Sequence, residues 1–144
     1  PQNPRLFVFP GVPLGRLARE MQLKLNAGTL RVVGDAELPV GRLMAFWGSF
    51  SGGGGEGSMA PRMFARPDID VFVCGETREW ELVEFAQDII ATGAKKGLVM
   101  IGHMMSEQAG MKYCADWLKT FVTEVPVEYL PMKEPFWNPA RVKA

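Results

Sequence analysis

A histidine and a glutamate one helical turn apart, just after an apolar run, are the residues in this chain best suited to chemistry. They stand in Gly102-His103-Met104-Met105-Ser106-Glu107, which follows directly on Leu98-Val99-Met100-Ile101. His103 is the only histidine. Ser106 is a favourable helix cap, which would put Glu107 in the first turn of the helix that follows. An imidazole and a carboxylate so placed suit a divalent ion of the zinc, manganese or iron type. The same pair has a plain structural reading, in which His103 bonds a loop carbonyl and Glu107 complements the helix dipole.

Two further stretches qualify. In Gly75-Glu76-Thr77-Arg78-Glu79-Trp80-Glu81, Gly75 permits a tight exit from a strand and Thr77 can cap a helix. Glu76 would then face the cleft as an orienting partner, a general base or a further ligand, although acids also favour helix N-termini for electrostatic reasons alone. The run Ser49 to Ser58 contains Gly52, Gly53, Gly54 and Gly55, whose bare amides could cradle an anion. No Gly-Lys-Ser/Thr follows it and its spacing fits no dinucleotide fingerprint, so a surface loop is the competing reading. Phe46, Trp47 and Phe50 beside the run could line a pocket or simply pack in the core. A nucleophile–base pair is not evident: His103 would have to serve Ser106 or Cys114, and neither lies in a supporting motif.

These stretches need a scaffold, and the apolar periodicity supplies one. Leu14, Leu17, Ala18, Met21 and Leu25 recur at helical spacing after Pro13, with Asn26 and Gly28 as the stop. Thr29–Val33 and Gly41–Trp47 read as strands, close enough in sequence to be antiparallel neighbours. A short helix is expected around Met59, Met63 and Phe64, closing at Arg66-Pro67. Ile69–Cys74 is a strand, Thr77–Ile90 a helix with acids in its first turns, and Leu98–Ile101 a strand buried on both faces. Ser106–Val122 is a helix with Met111, Cys114, Ala115, Leu118, Phe121 and Val122 as its core stripe. Val127–Leu130 reads as a last strand. The expected fold is a single α/β domain, three-layer-like, with a mixed, largely parallel sheet covered by helices. In such sheets ligands collect at the carboxyl ends of the strands, where all three unusual stretches fall.

Composition sets limits. A chain of 144 residues with 47% hydrophobic and 22% charged residues is ordinary for one globular domain. Sixteen basic and sixteen acidic residues cancel, which disfavours a nucleic-acid partner. No apolar run approaches the roughly 20 residues of a membrane span, and no secretion signal opens the chain. Cys74 and Cys114, each among apolar neighbours, read as two buried free thiols rather than a disulfide, so a cytoplasmic location is expected. Residues 1–11 read as a Pro-rich leader and residues 136–144 as a tail, around a domain at 12–135.

The strand Asp70–Cys74 ending in Gly75-Glu76, followed after a helix by a strand ending in Gly102-His103-Met104-Met105-Ser106-Glu107, resembles the C-terminal signature of the Nif-three-like dinuclear-metal family. That family is also described as GTP cyclohydrolase type-two-like. The likeness extends over Leu14–Leu25, Arg31–Asp35 and Val127–Leu130 in the same order. It implies that His103 and Glu107 are metal ligands and that Glu76 lies near the cleft. It implies a two-metal hydrolase of a nucleotide-like or phosphate substrate, or a regulatory interaction module, and a homo-oligomer. The family's other ligands, a His pair and an Asp, belong to an N-terminal half with no counterpart here. Since zinc-like ions take three or four protein ligands, the chain is expected to be the C-terminal part of a longer protein, or to need a partner.

Overall fold

In β4 (Val71–Cys74) and β5 (Gly97–Met100) every residue is buried, and successive side chains enter two different cores. Phe72, Cys74, Leu98 and Met100 join Ala60, Met63, Phe64, Leu82 and Ala86 on one face of the sheet. Val71, Val73 and Val99 join Leu14, Leu17, Leu38, Val40 and Leu43 on the other. The period of two along a strand divides these residues, so the central strands need helices on both sides.

The computed structural model describes residues 3–49 and 59–139. Within them β1 (Leu6–Pro13), β2 (Arg31–Val33) and β3 (Pro39–Ala45) complete a five-stranded sheet of order β1-β3-β4-β5-β2. β3, β4 and β5 run parallel, while β1 and β2 add antiparallel edges. Helix α1 (Leu14–Leu25) packs on one face, and α2 (Met59–Phe64) and α3 (Glu84–Ala91) cover the other. A π-helical turn, Glu79–Val83, leads into α3. The chain is thus a single α/β domain with a mixed open sheet, as its alternating apolar segments predict. Its fourth helix, α4, spans His103–Leu118.

Four expectations need correction. The strands β2 and β3 are not neighbours: β2 pairs with β5 at the far edge. Six Cα steps of roughly 3.3 Å separate Val33 from Pro39 and reach about 20 Å, enough for three strand spacings totalling about 14 Å. The connector crosses the start of β5 at Gly34, where a Cβ would press on the Lys96 carbonyl and Gly97. Its Leu38 and Ala36 carbonyls accept from the Leu14 and Gly15 amides, so it also closes the N-terminus of α1. Secondly, the Pro-rich opening is not a featureless leader: Leu6–Pro13 is β1, tolerating Pro10 at an edge where the register shifts between Val8 and Val12.

Thirdly, Val127–Leu130 pairs with no strand among the described residues; with α4 it walls a groove instead. Lastly, the α4 stripe is not core. Ala115 is buried, but Met111 and Phe121 are more than half exposed and the helix ends at Leu118.

Truncating Phe72 to Ala removes a fully buried ring from the central strand and should cost about 3–5 kcal/mol in chemical denaturation. Val8→Ala, on the exposed edge, should stay within about 0.5 kcal/mol.

Candidate metal-binding site

The parallel strands β3, β4 and β5 continue past their formal ends as one narrow ladder. The Glu76 amide donates to the Gly48 carbonyl at 3.0 Å, the Ile101 amide to the Cys74 carbonyl at 3.0 Å, and the Gly102 amide to the Gly75 carbonyl at 2.7 Å. Two glycines make this approach possible. A Cβ at Gly75 would overlap both the Gly48 carbonyl oxygen and Ser106 Oγ, and one at Gly48, where φ is +69°, would strike Glu107 Oε1.

Gly102, at φ +94°, turns the chain so abruptly that α4 starts at His103. Ser106 is therefore not its N-cap. Its hydroxyl donates back to the His103 carbonyl at 2.6 Å and accepts the Gly48 amide at 2.8 Å. Ser106 thus ties the end of β3 to the first turn of α4. Thr77 is not a cap either, since its hydroxyl oxygen is buried with no hydrogen-bond partner among the described residues.

This packing brings Glu76, His103 and Glu107 together. Glu76 Oε1 lies 3.0 Å from His103 Nδ1, and Glu107 Oε2 lies 3.3 Å from His103 Nε2. The hydrogen bond to Glu76 raises the imidazole pKa above its ordinary value; slight desolvation opposes it and the Glu107 charge adds to it. When Nδ1–H is donated to Glu76, Nε2 turns its lone pair towards the Glu107 carboxylate. Two acceptors then face each other, and a cation between them relieves the repulsion. A second proton serves, and so does a metal ion, with Glu76 fixing the tautomer from behind. The three side chains are 42–51% exposed, open to exchange with solvent.

No group of three or more His, Cys, Asp or Glu side chains is arranged for a metal among the described residues. Among the described residues, His103 Nε2 faces the Glu107 carboxylate, with Glu76 on the far side of the ring. Gly52, Gly53, Gly54 and Gly55, considered for anion binding, lie outside the described residues. Of their aromatic neighbours, Phe46 packs against the core while Trp47 is exposed, with the Arg5 guanidinium over both rings.

A groove of about 700 Å³ opens from His103 and Glu107 along α4, with residues 127–135 as its opposite wall. Neither Lys nor Arg lines it among the described residues. Sequence reading missed this groove because it assigned both walls to the core or the sheet.

No protein-family model matches the chain, and neither does any curated protein. Solved structures do match. The chain superposes on the Staphylococcus aureus hypothetical protein SA1388 with TM-score 0.65 and 22% identity, over 92% of its own length and 42% of that chain. A Bacillus cereus protein related to NIF3 matches with TM-score 0.61 and 19% identity, over 91% and 34%. The protein ybgI, described as of unknown function, matches with TM-score 0.63 and 22% identity, over 93% and 50%. The fold is Nif-three-like. These likenesses show the shared fold, and the Gly-His-x-x-Ser-Glu motif carries the family resemblance separately. The chain spans half or less of the length of these structures, so the fold it shares with them is one part of theirs.

Two outcomes are expected. The single histidine should titrate above 6.5 by NMR, and Glu76→Gln should lower that pKa. Because the folded pKa is raised, the stabilisation is fully present below about pH 6.5 and is lost as pH rises through the folded value. At neutral pH a thiol reagent should modify Cys114, which lines the groove, and spare Cys74, whose buried thiol is pushed up to about 12. Mass mapping of the labelled peptides reads the difference.

Proposed function

We propose that the chain contributes His103 and Glu107 as ligands to a divalent metal site, with Glu76 orienting the imidazole. The observation that carries this reading is the approach of Nε2 and the Glu107 carboxylate to 3.3 Å while Nδ1 is engaged by Glu76. Ligand atoms on one ion commonly lie about that far apart, and a carboxylate behind the ring is the usual support for a metal-binding histidine. The pair is not a complete coordination sphere for an ion of the zinc type. Further ligands are needed beyond the described residues, in keeping with the greater length of the matching structures.

The activity in keeping with such a site is metal-dependent hydrolysis. An ion held by His103 and Glu107 would supply a Lewis acid and an activated water. His103 holds its donor atom fixed, Glu76 keeps the proton on Nδ1, and Glu107 offsets the charge. The nucleotide or phosphate substrate implied by the family resemblance finds no cationic partner along the groove among the described residues.

A second reading, a non-catalytic interaction module, is favoured by one specific observation. Tyr113, Trp117 and Phe121 are exposed on α4 and the turn after it, with the rings of Trp117 and Phe121 only 4.8 Å apart. An exposed aromatic cluster of that kind suits burial against another polypeptide.

Calorimetric titration with Zn²⁺ or Mn²⁺ distinguishes the readings. Saturable binding in the wild type, weakened at least tenfold in His103→Ala and in Glu107→Ala, is the expected result. Affinity should fall with pH as His103 protonates, because the proton and the ion compete for Nε2. Binding indifferent to both substitutions would remove the metal reading and leave the interaction module.

A further inference from the structure

We propose that the groove beside α4 binds an apolar-bodied cation, a small hydrophobic ammonium compound with its body along α4 and its charge at the Glu128 carboxylate. Such a site asks nothing of His103 Nε2, and so stands whether or not an ion is bound there.

Size and walls set the body. A volume of about 700 Å³ falls within the roughly 300–1,000 Å³ of small-molecule sites. The walls are thioether and aliphatic, with Met104, Met111 and Leu118 on one side and Leu130 and Met132 on the other. Unbranched methionines adapt to the shape of an apolar body.

Charge sets the head. Glu107 and Glu128 are the acids of the lining, and neither Lys nor Arg is present there among the described residues. His103 is the one group that could offset them, so the lining is negative whether or not that ring is protonated. The two carboxylates are not equivalent. Glu107 already faces His103 Nε2 at 3.3 Å, whereas Glu128 has no hydrogen bond or ion pair among the described residues. Beside apolar walls such a carboxylate attracts a counter-ion more strongly than it would in open water. Tyr129, the next residue, also lines the groove, and a phenol ring favours a cation. An anionic head would meet repulsion with nothing to pair with, and a neutral one would leave the Glu128 charge unmatched.

The wall that carries Glu128 is fastened by the fold. The Glu134 carboxylate accepts the Gly28 amide, the Thr29 amide at 3.4 Å and the Thr29 hydroxyl at 3.2 Å. Gly28 has no room for a Cβ, which would lie 2.8 Å from the Phe136 carbonyl and 2.9 Å from Glu134 Oε2. Residues 127–135 are thus anchored beyond the groove by a three-donor clamp, so the concavity belongs to this chain.

NMR of the metal-free chain carrying ¹³C-methyl methionine tests the site, with octylammonium, 1-octanol, octanoate and methylammonium as probes. Octylammonium should shift the Met104, Met111 and Met132 methyls saturably, while the buried Met44, Met63 and Met100 methyls, outside the groove, stay in place. Octanoate should bind at least tenfold more weakly and octanol severalfold more weakly, and methylammonium, which lacks the body, should leave the methyls unmoved. Added salt should weaken octylammonium but not octanol. Glu128→Gln, at an exposed position that the fold does not depend on, should remove the preference for octylammonium over octanol and leave octanol binding unchanged. His103→Ala should keep the methyl shifts, which separates this site from the metal reading. Octanoate or octanol binding as tightly as octylammonium, a preference that survives Glu128→Gln, no saturable shift, or self-association that buries the same methyls without ligand would overturn the proposal.

Discussion

Everything at the candidate site depends on three parallel strand ends approaching more closely than side chains normally permit. Gly48 and Gly75 leave room for that approach, and Ser106 fastens it by accepting the Gly48 amide and donating to the His103 carbonyl. Without the two glycines, the end of β3 could not lie against both β4 and the first turn of α4. Glu107 would then be displaced from His103, since a side chain at Gly48 would occupy the position of its carboxylate. The geometry of the site thus rests on an absence of side chains at two strand ends and on one hydroxyl in the neighbouring helix.

Much of the fold is legible in the sequence wherever burial is strong. β4 and β5 are apolar at every position, α1 has its period and its stop at Asn26, and each forms where expected. The errors fall where local pattern leaves tertiary placement open. A five-residue connector allows a hairpin but equally reaches across two strands, and only the packing of Leu38 beside Leu14 selects the second course. Leu6–Pro13 is punctuated by Pro10 and Gly11, which conceals an edge strand whose bulge accommodates them. Val127–Leu130 has the residue types of a strand, yet strand propensity expresses fit to a neighbouring strand, and here its neighbour is a helix.

The site is legible to a different degree. The separation of His103 from Glu107 fixes them on one face of α4 whatever surrounds the helix, so this pair could be read from spacing. Glu76 could be placed near the cleft, but its bond to Nδ1 depends on how β4 and β5 are paired, which no local motif encodes. Gly48 was passed over because it stands beside a longer glycine run. Its signal is the left-handed backbone and the proximity of Glu107, both of which exist only in three dimensions. Ser106 was recognised as important for the wrong reason: a serine near a helix start suggests a cap, whereas here Gly102 makes the turn and frees the hydroxyl to join two elements.

α4 carries both the His103–Glu107 pair and an exposed apolar surface. One face carries His103, Glu107, Met104, Met111 and Leu118 along the groove, and another exposes Tyr113 and Trp117. A helix apolar on more than one face is stable in water only when something further covers it. The groove face is concave, bounded by an anchored wall and continuous with two metal-type donors, which suits a small occupant. The aromatic face is open and has no wall of its own, which suits a protein surface. Separate occupants for the two faces are in keeping with a chain that spans only part of the length of its structural relatives.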